Sequence, residues 1–295
     1  MVDDTWRRLA TDRLEIHFAD EGPLSGPVAL LLHGWPDGPQ CWTPVSAALN
    51  AAGWRTLRPH LRGFGPTRFL SAQTARSGQV SALAADALAL VDGLGIRRFA
   101  VVGHDWGART AYALGALAPE RVSALVALSV GYGATGTLAL KQAQNYWYQW
   151  FLCLPQGATA LAADREAFCR HLWRVWSPGW TVPEAAFAEV AAGFAGADWL
   201  AVTVHAYRQR WGHAPDDAAY AGLEERLATL PAIASPSLIL HGARDACNDA
   251  STSQARERFT GPYERHLLPG IGHFPQREVP EQVAHMALTW LDRWK

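Results

Sequence analysis

The chain is poor in sulfur, in excess charge and in long apolar runs, and each shortage removes a class of function. Its four cysteines form no CxxC pair. A zinc ribbon and a secreted disulfide framework are therefore not expected. Cys41, Cys153, Cys169 and Cys247 read as reduced thiols, none in a turn that would expose it as a nucleophile. Lys and Arg together number 26, Asp and Glu 27, and the two signs are interspersed. Without a basic stripe, no nucleic-acid partner and no membrane-surface patch are expected. The expected substrate is small, mainly apolar and not highly charged. No apolar run approaches the ~20 residues that cross a bilayer. The opening Met-Val-Asp-Asp-Thr-Trp-Arg-Arg has no apolar stretch behind a basic start, so a cytoplasmic protein is expected rather than a secreted one. The histidines show no HExxH-like spacing, so no metal is expected, and nothing points to a cofactor. No serine has a glycine two residues before it, which excludes a G-x-S-x-G elbow.

What is there is a chain built to bury a core: 49% hydrophobic and 18% charged, a balance that argues against disorder. Val28–Leu32 is a short, wholly apolar run ending at His33-Gly34, the pattern of a buried parallel strand. Pro39 to Ala52 reads as a helix stopped by Gly53, and Gln79–Leu94 as a helix stopped by Gly95. Phe99–Val102 reads as a strand, Asp105–Leu117 as a helix ended by Pro119, and Leu125–Ser129 as a further strand. This alternation predicts a mostly parallel sheet flanked by helices. The rhythm breaks from about Ala134 to Leu230, where helical patterns continue without a strand. It resumes at Pro236–His241 and Glu264–Leu268, and Gln282–Trp294 reads as a closing helix. The expected organisation is a core of residues 1–133 and 231–295 with an inserted helical cap, 134–230. The oligomeric state is not legible, and a homodimer stays open.

The chemistry concentrates at Gly103-His104-Asp105-Trp106-Gly107, between a strand and the helix that follows at once. This is a G-x-Nuc-x-G turn with Asp at the nucleophile position. Side chains at the flanking glycines would clash in so tight a turn. The central residue is held strained above the sheet, where the helix N-terminus favours its negative charge. Read alone, Asp105 could instead be a helix N-cap. Together with His33-Gly34-Trp35-Pro36, the pentapeptide resembles the elbow and HGxP motifs of epoxide hydrolases and haloalkane dehalogenases. The resemblance covers nearly the whole chain and implies an α/β-hydrolase fold. It implies that the backbone N–H groups of Trp35 and Trp106 form an oxyanion hole; a cis bond at Pro36 would suit that turn. It also implies the chain order nucleophile, acid, histidine. His273, in Pro-Gly-Ile-Gly-His past the last strand, is the expected histidine, and Asp245, in His241-Gly-Ala-Arg-Asp, the expected acid. No Asp or Glu lies between Val122 and Ala163, so Asp245 stands nearly unopposed, with Asp249 as the fallback. His104 reads as packing, and His33 and His241 as satisfying local backbone groups.

A carboxylate is an anion at neutral pH and can displace a leaving group from saturated carbon without a base, leaving an ester on Asp105. His273, oriented by Asp245, would then activate water, the second substrate, against that ester. The cap decides what is displaced. Tyr148-Gln149 and Tyr207-Arg208 resemble the epoxide-polarising tyrosine segments of soluble epoxide hydrolases, with Tyr146 the rival to Tyr148. Aromatics at helical spacing are otherwise core. Half of the 14 tryptophans lie in the cap, which favours an apolar pocket. Arg109, one helical turn after the nucleophile, resembles a position in fluoroacetate and related haloacid dehalogenases and is a candidate substrate-binding residue. Trp106 stands where those enzymes carry a second arginine, and Tyr148-Gln149 where they tend to have His-Trp. Structurally, Arg109 could simply pair with an acid near the pocket wall. Trp106 could offer an indole N–H to halide, but Trp35 stands where many haloalkane dehalogenases carry Asn. The leading expectation is hydrolysis of an epoxide to a vicinal diol. The alternatives are hydrolytic dehalogenation of a haloalkane or small haloacid, and a catalytically silent ligand-binding protein, which would have no need of Asp105, Asp245 and His273 together.

Overall fold

The computed structural model describes residues 5–133 and 138–295. The expected cap start at Ala134 and the reading of the first four residues lie outside these. The chain opens with an antiparallel hairpin, β1 (Trp6–Ala10) and β2 (Leu14–Glu21). Sequence patterning predicts no strand here, although Leu14, Ile16 and Phe18 are buried at the period of two that marks a half-covered strand. Then follow β3 (Val28–Leu32), α1 (Thr43–Ala51), β4 (Arg55–Pro59), the short β5 (Arg68–Phe69), α2 (Val80–Gly93), β6 (Phe99–His104), α3 (Trp106–Leu117) and β7 (Val122–Leu128). All described elements before the next strand are helical: α4 (Leu140–Asn145), α5 (Trp147–Cys153), α6 (Pro155–Ala163), α7 (Arg165–Trp176), α8 (Glu184–Ala191), α9 (Ala197–Arg210) and α10 (Ala221–Ala228), with short 3-10 turns between them. The chain ends with β8 (Ser237–Gly242), β9 (Tyr263–Leu268), α11 (Pro275–Glu278) and α12 (Pro280–Leu291).

The sheet runs β1-β2-β4-β3-β6-β7-β8-β9, with β5 paired to β2. From β4 to β9 every pairing is parallel. Alternate residues of the central strands point to opposite faces. Ala29, Leu31, Val102 and Leu240 pack under α1 and α12, while Leu30, Leu32, Val101 and Ile239 pack toward α2 and α3. Each such leucine or valine, fully buried, contributes about 1.5–3 kcal/mol relative to exposure. This is an α/β-hydrolase fold, a mostly parallel open sheet flanked by helices.

Strand order reverses between β3 and β6: the chain leaves β3 toward β4 on one side and returns to β6 on the other. Loops diverge at such a switch point and leave a crevice beyond the strand ends. The register pairs Leu32 with Gly103, so the His33-Gly-Trp-Pro loop and the Asp105 turn emerge side by side. The helical segment between β7 and β8 closes over them. Trp173 donates its indole N–H to the Pro36 carbonyl at 2.8 Å and Trp35 donates its own to Thr203 Oγ1 at 3.0 Å. No single helix among the described residues is long and apolar enough to cross a membrane.

Candidate active site

Asp105 sits between β6 and α3 at φ 51°, ψ −112°, a backbone state that costs a β-carbon-bearing residue of order 1–3 kcal/mol. The glycines on either side permit it. A β-carbon on Gly103 would lie 2.2 Å from the Gly107 carbonyl oxygen, and one on Gly107 would lie 2.0 Å from that of Leu32. Asp105 holds the N-cap position, yet its side chain makes no capping bond. Its Oδ1 instead accepts the backbone N–H of Trp35 at 2.9 Å. The Trp35–Pro36 peptide is cis. Trp106 is the first residue of α3, so its N–H is among the donors a helix start leaves unsatisfied.

His273 and Asp245 come from the loops after β9 and β8, neighbours in the sheet with Gly242 opposite Leu268. His273 Nδ1 lies 2.8 Å from Asp245 Oδ2. The second oxygen, Oδ1, accepts the N–H groups of Cys247 at 2.7 Å and Asn248 at 2.9 Å. His241 Nε2 approaches Oδ2 at 3.3 Å. Burial opposes charge on Asp245, but His273 and His241 outweigh it and hold the carboxyl below the usual carboxylate range. Burial likewise pulls the His273 imidazole down, and the charge and hydrogen bond of Asp245, with Asp105 behind, leave it raised above its ordinary value. Asp249 lies elsewhere: it caps a short 3-10 turn by accepting the Ser251 N–H.

His104 and His33 serve the scaffold. His104 donates from Nε2 to the His273 carbonyl at 2.7 Å, so its place inside the elbow does more than fill space. His33 bridges the Gly34 carbonyl and the Leu61 N–H. Burial depresses both rings to a pKa of about 4.

Tyr148 from α5 and Tyr207 from α9 face Asp105 across one cavity of about 180 Å³, which Trp106, Arg109 and Arg210 also line. Their ring centres are 5.4 Å apart, edge to face. Trp35 stacks on Tyr148 at 5.8 Å and meets Tyr207 edge-on at 5.3 Å. Burial pushes both phenols well above their ordinary value, so each keeps its proton. The Trp106 ring meets Tyr207 edge-on, with ring centres 5.8 Å apart. Tyr146 does not line this cavity and donates to Asn248 Oδ1, at its wall, at 2.6 Å. Arg109 forms no ion pair with an acid among the described residues; its guanidinium acts on Tyr146, Asp105 and Tyr148. No cluster of three His, Cys, Asp or Glu among the described residues is placed to hold a metal ion.

Three contributors escaped the sequence reading. Gln149 donates to the Tyr148 hydroxyl at 2.8 Å and accepts the Trp211 indole N–H at 3.0 Å. Ser177 accepts the His273 N–H at 2.8 Å and donates to Glu278 at 2.7 Å. Glu278 also accepts the N–H groups of Gly272 and Phe274 on either side of His273. For Gln149 the adjacency to Tyr148 was a visible signal; the Ser177–Glu278 contact joins segments with no local pattern in common.

Residues 27–171 match the alpha/beta hydrolase fold family. Epoxide hydrolase A of Mycobacterium tuberculosis is 26% identical over 97% of this chain and 97% of its own. A crystal structure from Klebsiella pneumoniae subsp. pneumoniae, of a protein assigned as an epoxide hydrolase, is 38% identical, covers 98% of each chain and superposes with a TM-score of 0.93. A Pseudomonas aeruginosa structure with the same assignment is 25% identical, covers 98% of this chain and 95% of its own, and has a TM-score of 0.83. Fold and relatives together define an enzyme of the α/β-hydrolase class. The chain belongs to the epoxide hydrolase family of that fold.

Proposed function

We propose that this enzyme opens an epoxide to a vicinal diol through an ester on Asp105. The observation that carries the reading is the convergence of two protonated tyrosines, Tyr148 and Tyr207, with the Asp105 carboxylate in one cavity. An epoxide oxygen needs a donor that can surrender a proton, and a phenol is one. Asp105 Oδ1 is engaged by the Trp35 N–H, so Oδ2 is the attacking atom. It bonds to a ring carbon, the carbon–oxygen bond breaks, and the ring oxygen takes a proton from Tyr148 or Tyr207.

In the second step His273 Nε2 takes a proton from water, and the hydroxide adds to Cγ of Asp105. The resulting oxyanion is held by the N–H groups of Trp35 and Trp106. Collapse expels the diol oxygen, which receives the proton from His273, and the carboxylic acid left on Asp105 gives its proton to the tyrosinate; the sum is epoxide plus water to diol. His273 is suited to this because Asp245 fixes Nδ1 while Nε2 has no hydrogen-bond partner among the described groups. The helical segment from α4 to α10 is read as a cap that supplies the tyrosines and shields the ester. Halide displacement is less favoured, since the Trp35 indole N–H that could receive halide is taken by Thr203.

Single turnover with an epoxide in heavy-oxygen water tests the mechanism. Water attacks the ester carbonyl, so the label is expected in the Asp105 carboxylate; label found only in the diol would overturn the ester route. Diol formation measured beside halide release from haloalkanes and haloacids decides the reaction type.

A further inference from the structure

A two-pronged ion pair joins the loop that carries Trp35 to the loop that carries His273, and the proposed chemistry uses neither partner. Asp37 stands two residues after Trp35, and Arg277 stands four residues after His273, on α11. Arg277 Nη2 donates to Asp37 Oδ1 at 2.6 Å and Nε donates to Oδ2 at 2.9 Å. Such a fork fixes distance and plane together. The side chains are 8% and 0% exposed. Burial opposes the charge on Asp37, yet Arg277 outweighs it and holds the carboxyl below its usual range. Asp37 Oδ1 also accepts the Gly38 N–H at 2.7 Å, so the carboxylate is tied to its own loop as well as to the other. A buried ion pair adds little net stability, because stripping water from two charges offsets their attraction. What this one supplies is position.

The helical segment meets the pair. The Arg277 guanidinium lies 4.9 Å from the ring centre of Trp173 on α7, and the Trp173 indole N–H donates to the Pro36 carbonyl at 2.8 Å. Ser177, at the end of the same helix, accepts the His273 N–H at 2.8 Å. One helix thus grips both loops, and Arg277 is where the three segments meet. The consequence falls on one step. In the ester route above, Oδ1 of Asp105 is the ester carbonyl oxygen, already 2.9 Å from the Trp35 N–H. Ring opening draws negative charge away from Oδ1 and uses no imidazole. Ester hydrolysis returns negative charge to Oδ1 while water is delivered from His273. That step needs Trp35 and His273 at a fixed separation around one carbon.

We propose that Arg277 is a positioning residue for ester hydrolysis: through Asp37 and Trp173 it sets the spacing between the Trp35 N–H and His273. This rests on the ester reading above and adds a residue outside the wall of the Asp105 cavity.

The test is single turnover of 1,2-epoxyhexane by the whole chain, with ester formation and ester loss timed separately by protein mass. Asp37→Asn/Arg277→Gln removes both charges together and leaves no buried ion unpaired, so it is the variant expected to fold. Its ester should form at the unaltered rate and hydrolyse about 10–100-fold more slowly, the cost of a displacement of up to ~1 Å. Arg277→Lys keeps the charge without the fork and should recover part of the loss. Unaltered hydrolysis in the double variant overturns the proposal, and so does equal slowing of both steps, which marks general loosening. Amide hydrogen exchange at Trp35, followed by NMR, needs no substrate. It should quicken in the double variant while exchange in β6 stays as it was; exchange unchanged at Trp35 overturns the positioning role. If the unaltered chain forms neither ester nor diol from 1,2-epoxyhexane, that counts against the epoxide reading, and the exchange result alone decides the role of Arg277.

Discussion

Nε2 of His273 stands 3.8 Å from Oδ2 of Asp105, beyond hydrogen-bond reach and with no other protein partner among the described groups. Imidazole and carboxylate are thus neighbours with no hydrogen bond between them. The first step of the proposed reaction needs no base and the second does. His273→Gln is therefore expected to accumulate the Asp105 ester, seen as a protein mass increase equal to one substrate, with steady-state turnover down by ~10²–10⁴. Full turnover without accumulation would remove His273 from the mechanism.

The same pair sets the pH response. In the proposed step only neutral His273 can take the proton from water, and Asp245 raises its pKa despite burial, while Asp105, an ester at that stage, no longer contributes. Ester hydrolysis should rise with pH through a midpoint above the ordinary histidine value of ~6.5. Asp245→Asn removes the charge that holds the proton, so the midpoint should fall even as the maximal rate drops. Stability follows with a definite sign. The contribution from His273 is complete below the unfolded pKa and is lost as pH rises through the folded one. That from Asp245 is present above the ordinary carboxylate range and is lost as pH falls below it. A midpoint that does not move in Asp245→Asn would argue against this coupling.

The parts of fold and candidate site that were legible are those written into one stretch of chain. Val28–Leu32 is apolar throughout because it is buried on both faces, and its bounds agree with the strand observed. The start of β7 was placed three residues late, since Ser123 reads as polar although the sheet buries it. The first hairpin is not legible because Trp6-Arg-Arg-Leu-Ala carries two arginines that lie along an exposed edge. In the site, the turn at Asp105 and the loops reaching Asp245 and His273 each follow a strand directly, so glycine spacing marks them. The roles of Gln149, Ser177, Glu278 and Arg277 arise only where separate segments meet, and no local period announces them.

The tyrosine pair separates the proposed first step from the second. Tyr148→Phe/Tyr207→Phe removes both proton donors and leaves Asp105 and His273 in place. Ester formation from an epoxide should fall by ~10²–10⁴, followed as the loss of the single-turnover burst. Gln149→Ala frees the Tyr148 hydroxyl from its 2.8 Å donor. A smaller drop in the same step, about tenfold, is expected from losing one hydrogen bond. A burst unchanged in the double variant would leave the ring oxygen without an assigned acid.

Glu278 offers a sharper test of how the helical segment and the histidine loop act together. Its carboxylate accepts from Ser177 Oγ at 2.7 Å, from the Gly272 N–H at 2.8 Å and from the Phe274 N–H at 3.0 Å. Ser177 in turn receives the His273 N–H. The loop carrying His273 is thus clamped to α11 and to the end of α7 through one charged group. Glu278→Gln keeps the size but replaces one acceptor with a donor amid three donors, at a cost of about 1–3 kcal/mol. Glu278 is also among the charges that raise the His273 pKa. The variant should melt lower and should shift the pH midpoint of ester hydrolysis downward. A lower melting temperature with the midpoint unmoved would confine Glu278 to support of the loop. Movement of both would show that the group fixing the loop also helps set when its histidine can act as a base.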